Sequence, residues 1–362
     1  MKYLRFLTGL LMMTAVAACD DSKTDRDQNG TGNGGSDDDN KTEVVDKVVF
    51  AKGADISWVT QMESQGMKFY NSAGAETECT VLMKETGFDA IRLRVWVNPS
   101  DGWCNKNDVL IKAGRARDAG MKLMIDFHYS DTWADPGHQT PPAAWAGYNA
   151  DQMAEAVAGH TKEVLQLLKD NGIEVTWVQI GNEVNQGMLW DSGKVSDSSV
   201  NSFIDYFNSG SKAAKEVYPQ SKVILHVSNG HDSGLFTWFF DLMKKHDADY
   251  DIIGMSLYPV WWENGAWRTD WQTNATKCMS NIRSISARYG KPVILCEVGM
   301  PCGTPQMSKE AMQYILTEAK KIEMCQGVFY WEPQAPDGYN GGYGLGSFAN
   351  GKPTIALDPF RN

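Results

Sequence analysis

The amino-acid sequence lacks several patterns that mark membrane-spanning, nucleic-acid-binding and zinc-binding proteins. Its N-terminal apolar segment, residues 7–18, is too short to span a bilayer comfortably. The 34 Lys and Arg residues are outnumbered by 45 Asp and Glu, and no basic patch that would attract nucleic acid is visible. No C-x-x-C spacing indicates a zinc knuckle, and no short-period repeat indicates a solenoid. What remains is an acidic chain whose 42% hydrophobic residues can form a substantial core.

The first 46 residues have the composition of a processing signal followed by a linker. Residues 1–18 are predicted to be a signal peptide, and the "VAAC" that ends at Cys19 resembles the lipobox of bacterial lipoproteins, in which the cysteine is lipidated. An ordinary secretory signal is the alternative. Residues 19–46 are acidic and Gly-rich, which predicts a flexible linker. The expected location is the cell envelope, at the outer membrane or cell surface of a Gram-negative bacterium.

Six further cysteines lie in the predicted folded domain, residues 47–362. A secreted protein can pair its cysteines, and six allow fifteen connectivities. We therefore expect between zero and three disulfides without assigning pairs.

Eight apolar stretches of strand length alternate with helix-like stretches from about residue 48 onward. The intervening segments carry apolar residues at helical spacing, such as Val109, Ala113 and Ala116. Alternating strands and helices predict a parallel sheet, and eight units favour an α/β fold of the (β/α)₈ TIM-barrel type, in a single catalytic domain. The predicted strands cover residues 48–57, 90–97, 122–130, 175–183, 222–229, 251–259, 292–299 and 327–333.

Polar residues concentrate at the carboxyl ends of these strands, where barrel enzymes place their chemistry. Burying polar groups is costly unless they are paired, so an active site explains polar ends on all eight strands better than a plain scaffold does. Arg92 and Arg94 face the same way because side chains alternate along a strand. The full set comprises Asp55; Arg92 and Arg94; Asp126, His128 and Asp131; Asn182 and Glu183; His226 and Asn229; Tyr258; Glu297; Trp331 and Glu332.

Glu183 on strand four and Glu297 on strand seven together predict a retaining glycoside hydrolase. In that reaction one carboxylic acid protonates the leaving oxygen while a carboxylate about 5–5.5 Å away attacks the anomeric carbon. We assign Glu183 as acid/base and Glu297 as nucleophile. The supporting roles fall to Arg92 or Arg94 for the charge of Glu297, Tyr258 for its position, Asn182 for the sugar 2-hydroxyl, Trp331 for the floor under the sugar, and His128 and His226 for orienting the carboxylates.

Several longer motifs resemble those of glycoside hydrolase family 53, the endo-β-1,4-galactanases. They are "GADIS", "RVWVNPSDGW", "DFHYSDTWADPGHQTPPAAW", "IGNEVNQGMLW", "SLYPVWW" and "YWEPQAP". The resemblance implies a barrel with retaining chemistry, catalytic residues at Glu183 and Glu297, and cleavage of β-1,4-galactan, the side chain of pectic type I arabinogalactan. Within these motifs Asp55, Asp131 and Trp133 are assigned to substrate binding.

The loops around the site add further expectations. Trp190 and Trp261, together with Trp262 and Trp267, are candidates for stacking on neighbouring galactose units, with loop packing as the alternative. Some relatives bind calcium in a longer acidic loop after the nucleophile, but here "GMPCGTPQMSKE" follows Glu297. We expect no structural calcium, no other metal and no cofactor. The expected partners are galactan and β-1,4-galacto-oligosaccharides, with the chain acting as a monomer and without nucleic acid.

Three other functions compete with galactan hydrolysis. A retaining endo-glycanase acting on mannan, xylan or glucan would use the same two glutamates. A surface lipoprotein that only binds glycan would suit the Trp-rich loops but would need no acid and nucleophile. A metal-dependent hydrolase would take His128, His226 and Asp126 as ligands, and the lack of an H-x-H motif on the first strand argues against it.

Overall fold

Eight short apolar strands form a closed parallel barrel in the computed structural model, which describes residues 49–362. The predicted signal peptide, the linker and Cys19 lie outside the described residues. Each strand pairs in parallel with the next one along the chain, and β1 (Ala51–Asp55) closes the circle by pairing with β8 (Cys325–Trp331). The predicted (β/α)₈ barrel is thereby confirmed. The remaining strands are β2 (Ala90–Val95), β3 (Lys122–Phe127), β4 (Trp177–Ile180), β5 (Lys222–Val227), β6 (Ile252–Leu257) and β7 (Val293–Val298).

Helices cover the outside of the barrel between successive strands, as the alternating pattern predicts. The Asn149 side chain and Gln152 form a reciprocal capping box that begins the longest helix, α4. The helices are α1 (Val59–Ser64), α2 (Cys79–Thr86), α3 (Lys106–Asp118), α4 (Ala150–Asp170), α5 (Asn201–Val217), α6 (Ser233–Lys245), α7 (Trp271–Tyr289) and α8 (Pro305–Lys320). Among the described residues, no helix is long and apolar enough to cross a membrane.

Two apolar clusters hold the barrel together. The larger one fills the space between the strands and the surrounding helices. The smaller one fills the lower barrel interior with inward-facing side chains: Ala51, Ala90, Met124, Trp177, Ile224, Ile252, Ile294, Cys296 and Phe329. A Cβ placed on Gly53 would lie 2.0 Å from the Phe329 ring, so glycine makes room for that ring. Above this apolar plug the interior becomes polar, and the polar layer opens at the carboxyl ends of the strands.

A β-bulge in β7 decides where Glu297 points. Strand β6 pairs Met255 with Leu295 and then Ser256 with Glu297, so one residue of β7 is left over. Cys296 faces the barrel interior, and strict alternation would therefore turn its neighbour Glu297 outward toward the helices. The extra residue re-aims the side chain, and the Glu297 carboxylate enters the barrel mouth.

The described part of the chain has no disulfide, since Cys79, Cys104, Cys278, Cys296, Cys302 and Cys325 are all free. This corresponds to the lower end of the expected range. Five of the six are buried, where they act as small apolar side chains.

Candidate active site

Glu297 lies at the mouth with both carboxylate oxygens bound. Its Oε1 is 3.0 Å from Nη2 of Arg92, and its Oε2 accepts a 2.7 Å hydrogen bond from the hydroxyl of Tyr258. Burial raises the pKa of Glu297 to about 7, although Arg92 and the Tyr258 hydroxyl both act to lower it. The carboxylate is thus fixed in one orientation by a cation and a hydroxyl donor.

Arg92 is a buried cation shared by three carboxylates. Its guanidinium lies 2.7 Å from Asp55, 2.9 Å from Asp126 and 3.0 Å from Glu297. Of the two arginines predicted to hold the charge of Glu297, Arg92 is the one that does so. Because one guanidinium cannot neutralise three carboxylates, Asp55 and Asp126 oppose ionisation of Glu297.

Glu183 follows β4 on a turn and meets a hydroxyl instead of a cation. Its backbone adopts φ +46°, after Gly181 at +78°, and this turn directs the side chain over the barrel mouth. Ser256 on β6 donates a 2.6 Å hydrogen bond to Oε1. Burial and then the negative charge of Glu297 raise the pKa of Glu183 to about 8. A group in this setting holds its proton at neutral pH.

The two carboxyl groups are both bound by side chains at the carboxyl end of β6. Ser256 binds Glu183 and Tyr258 binds Glu297. Ser256 and Tyr258 are two residues apart, which places their side chains on one side of the chain. Because a cation and a hydroxyl contact Glu297 whereas only a hydroxyl contacts Glu183, ionisation is favoured at Glu297, which gives the pair one carboxylate and one acid, as glycosidic bond cleavage with retention requires.

A buried network of polar side chains supports the pair from below. Gln179 on β4 accepts hydrogen bonds from Arg92 through Oε1, at 3.3 Å and 3.1 Å, and its Nε2 lies 3.0 Å from Nδ1 of His226. Asn182 accepts from Arg92 at 3.0 Å and donates to the carbonyl of Ala134 at 2.8 Å. His226 continues to Ser256, with Nε2 at 2.9 Å from its hydroxyl oxygen.

Arg94 serves a different purpose from Arg92, although both face inward. Its guanidinium lies over the ring of Trp133, 4.2 Å from the centroid, and 4.9 Å from that of Trp96. The carboxylate it approaches is Glu332, at 3.5 Å. Arg94 therefore packs against aromatic rings beside the mouth, and the ion pair with Glu297 is made by Arg92.

Three predicted binding residues on and after β3 have structural partners. His128 lies 3.0 Å from Asp126 through Nε2, and its Nδ1 accepts from the backbone of Ala134 at 3.2 Å. Asp131 accepts two backbone N–H groups, from residues 98 and 143, each at 2.9 Å. Trp133 packs edge-on against Trp331 at 6.0 Å. Asp131 thus joins two loops, whereas Trp133 belongs to the aromatic wall of the mouth.

Trp331 at the end of β8 is held by rings on several sides. It contacts Tyr343 at 4.8 Å and Trp58 at 5.1 Å, and Tyr343 donates a 2.6 Å hydrogen bond to its carbonyl. The Gly-rich segment around Tyr339–Gly342 leads into Tyr343 and so lies at the site's rim.

The remaining predicted tryptophans lie on loops. Trp190 is half-buried beneath the amine of Lys194, which is 5.0 Å from the ring centroid. Trp261 and Trp262 are 46% and 59% exposed on a hairpin of strands Trp261–Glu263 and Ala266–Arg268. Trp267 on this hairpin lies 3.8 Å from the position of a Cβ on Gly344, next to Tyr343. The hairpin therefore adjoins the aromatic wall.

Gln179, Ser256 and Trp58 are site residues that the sequence reasoning did not single out. Gln179 and Ser256 each had a weak signal in the sequence. Gln179 lies four residues before Glu183 and faces inward two positions after Trp177, while Ser256 lies two residues before Tyr258. Residues 49–362 contain no group of three or more His, Cys, Asp or Glu that could hold a metal ion. The predicted absence of calcium stays a prediction.

Comparison with known proteins places the chain among glycoside hydrolases. Residues 51–350 match the profile of glycosyl hydrolase family 53. The arabinogalactan endo-β-1,4-galactanase of Humicola insolens is 32% identical over 308 residues, covering 78% of this chain and 89% of that protein. The endo-β-1,4-galactanase of Bacillus subtilis is 30% identical over 315 residues, covering 78% of this chain and 70% of that protein.

Solved structures agree with these sequence relatives. A fungal β-1,4-galactanase superposes with a TM-score of 0.78 at 27% identity, covering 86% of this chain and 99% of that one. The family 53 catalytic domain of Ignisphaera aggregans superposes with a TM-score of 0.77 at 25% identity, covering 87% and 96%.

Proposed function

The chain belongs to glycosyl hydrolase family 53, and from this we propose that it is an endo-acting hydrolase that cleaves β-1,4-galactosidic bonds in galactan with retention of configuration. The observation that carries the proposal is the pair Glu183 and Glu297 at the barrel mouth, one bound to a neutral hydroxyl and the other to a cation and a hydroxyl. The family relatives named as galactanases supply the choice of sugar.

We propose the following reaction for the two glutamates. Glu183 gives its proton to the glycosidic oxygen as the bond to the anomeric carbon breaks, and the carboxylate of Glu297 forms a bond to that carbon. Glu183, now ionised, takes a proton from water, whose oxygen attacks the anomeric carbon and releases Glu297. Two inversions give net retention. Arg92 and Tyr258 stabilise Glu297 each time it is an anion.

The polar and aromatic residues at the mouth are proposed to bind the sugar. Trp331 would form the floor under the reacting galactose, and the second N–H of the Asn182 amide would reach the 2-hydroxyl. Trp133 extends the aromatic wall, and Trp190 and Trp261 would stack on galactose units farther along the polymer. Flat rings suit this substrate, since one face of a galactose unit presents mainly C–H groups and carries no charge.

A substrate panel tests the proposed reaction. The purified protein should release reducing sugar from β-1,4-galactan but not from mannan or xylan, and NMR of the first products should show the β-anomer. Glu297→Ala should abolish turnover while polymer still binds, and excess chelator should leave the wild-type rate unchanged. Activity on mannan alone would refute the substrate assignment.

The acid role of Glu183 has its own test. Glu183→Ala should lose most of its activity on galactan, on the order of 10²–10⁴-fold, but far less on an aryl galactoside whose leaving group needs little protonation. Equal losses on both substrates would refute the acid assignment.

We also propose that Cys19, outside the described residues, carries a lipid that anchors the protein to the cell envelope. The supporting pattern is the apolar run ending in "VAAC". Cys19→Ala should move the protein from the membrane fraction to the soluble fraction of cells. An unchanged distribution would favour the ordinary secretory signal. We also propose that the protein is a monomer, and sedimentation of the domain without its anchor tests this.

A further inference from the structure

A ring of hydrogen bonds begins at the backbone of Glu183 and returns to its own carboxylate. The left-handed backbone at Glu183 directs its N–H toward Nδ1 of His226, at 3.3 Å. Nε2 of the same imidazole lies 2.9 Å from Oγ of Ser256, and Oγ lies 2.6 Å from Oε1 of Glu183. Glu183 follows β4, His226 is on β5 and Ser256 is on β6, and these strands are neighbours in the barrel.

The backbone end of the ring determines where His226 carries its proton. An amide N–H can only donate, and the N–H of Glu183 has no other acceptor among the described residues, so Nδ1 of His226 accepts. Nδ1 also lies 3.0 Å from Oδ1 of Asn182, but that oxygen already accepts a hydrogen bond from Arg92. The Oε1 of Gln179 accepts from Arg92, so its Nε2 is the atom that lies 3.0 Å from Nδ1, and this Nε2 also donates to Asp126. Burial, and then the charge of Arg92, lower the pKa of His226 well below its usual value. The imidazole is thus neutral with its proton on Nε2.

The direction of every later hydrogen bond follows from that tautomer. Nε2–H of His226 donates to Oγ of Ser256, and the single hydroxyl proton of Ser256 then points to Oε1 of Glu183. Oε1 is occupied as an acceptor. In the described part of the chain, no other side-chain hydrogen bond to the carboxyl of Glu183 is found, which leaves Oε2 open.

We propose that Ser256 and His226 are positioning residues that keep the catalytic proton of Glu183 on Oε2, the oxygen left free for the leaving group. The proposal rests on the acid/base role given to Glu183 above. Because Oε1 accepts a hydrogen bond from Ser256, a carboxyl proton placed on Oε1 would clash with the hydroxyl proton of Ser256. When Glu183 becomes an anion, the same hydroxyl stabilises it, so the ring serves both halves of the reaction.

The charged groups around the ring act through space and do not distinguish the two oxygens. Glu297 on β7 and Asp135 after β3 raise the pKa of Glu183, while Arg92 on β2 lowers it. Around the imidazole, Arg92 and His128 favour the neutral form, and Asp126 opposes them. Choice between Oε1 and Oε2 therefore requires a directional contact, and Ser256 provides it.

The proposal is tested first by pH profiles of kcat/KM for Ser256→Ala and Ser256→Thr. Losing a hydrogen bond to the ionised form should raise the pKa of Glu183, so the alkaline limb of Ser256→Ala should move up by about one pH unit. The loss on galactan, on the order of tenfold, should exceed the loss on an activated aryl galactoside. Ser256→Thr keeps the hydroxyl and should restore the limb.

Ser228→Ala is the matched control, because Ser228 is a buried serine whose hydroxyl accepts from Asn185 instead of contacting a catalytic carboxylate. Ser228→Ala should leave the acid and alkaline limbs of the kcat/KM profile where they are in the wild type. A Ser256→Ala enzyme with an unmoved alkaline limb and equal losses on both substrates would show that Ser256 only packs, and would overturn the proposal.

The tautomer can be measured without any substrate. Two-bond ¹⁵N–¹H NMR spectra of the ¹⁵N-histidine protein should show His226 with a protonated Nε2 and a bare Nδ1, its signals identified as those that shift in Ser256→Ala. A protonated Nδ1 would reverse the ring and overturn the proposal. If the wild-type protein failed to cleave galactan, the proposed function would fall, and the NMR result would still decide the direction of the ring.

Discussion

Removing the hydroxyl of Tyr258 is the perturbation whose effect the geometry defines most closely. Tyr258→Phe deletes one oxygen, which donates a 2.7 Å hydrogen bond to Oε2 of Glu297. Burial and nearby carboxylates raise the pKa of Tyr258 well above its usual value, so the hydroxyl keeps its proton throughout the working pH range. The contact of Glu297 with Arg92 remains in the variant.

The expected shift follows from the strength of that contact. A hydrogen bond to a charged group contributes about 1.5–3 kcal/mol, and one pKa unit corresponds to about 1.4 kcal/mol. Since the Tyr258 hydroxyl stabilises the ionised form, its removal should raise the pKa of Glu297 from about 7 by roughly one to two units. On the acid limb of the pH profile, kcat/KM of Tyr258→Phe should be about 10–100-fold below that of the wild type, and the difference should shrink as the pH rises.

The assay is kcat/KM on soluble galacto-oligosaccharide from pH 5 to pH 9. Tyr218→Phe is the matched control, because its buried hydroxyl donates to the carbonyl of Ile173 at 2.6 Å and contacts no carboxylate. Its acid limb should coincide with that of the wild type. An acid limb that stays in place in Tyr258→Phe, with a uniform loss at every pH, would refute the assignment of Glu297 as the group that must ionise.

Three further changes test the fold and the rim. Burial lowers the pKa of His160 to about 4, so as the pH falls from 6.5 through 4 the unfolded chain binds a proton before the folded protein does, and the free energy of unfolding falls by up to about 3 kcal/mol. In urea unfolding, His160→Gln should lose less stability at acid pH than the wild type, and equal losses would contradict this. Gly53→Ala should lower the free energy of unfolding by about 3 kcal/mol or more, because its Cβ would overlap the ring of Phe329. Gly114→Ala is the matched control on α3; its Cβ meets open space, so it should raise the free energy of unfolding by about 0.5–1 kcal/mol. Trp261→Ala should raise KM for polymer several-fold without changing kcat on an aryl galactoside, and an unchanged KM would indicate that the exposed ring does not contact substrate.

The fold was predictable because hydrophobic periodicity depends only on local sequence. All eight predicted strands occur; seven are shorter than predicted, and the eighth keeps its length but begins two residues earlier, at Cys325. The polar residues at the strand ends also converge at one mouth, as the parallel arrangement requires. Periodicity does not indicate at which height along the barrel axis an inward-facing side chain lies. Alternation puts Arg92 and Arg94 on the same face, yet the slant of the barrel sets Arg92 against three carboxylates and Arg94 against aromatic rings.

The position of Glu297 shows why local rules fail where chemistry is placed. In "VILCEVG" a period of two assigns Cys296 and Glu297 to opposite faces, and Cys296 does face the apolar interior. Both side chains nevertheless point into the barrel, because the bulge in β7 shifts the register against β6 by one residue. The bulge exists only in the pairing of two strands, so no property of the seven-residue stretch reveals it. A carboxylate at the centre of the mouth thus depends on a departure from regular strand geometry, and Glu183 depends on another, its left-handed backbone.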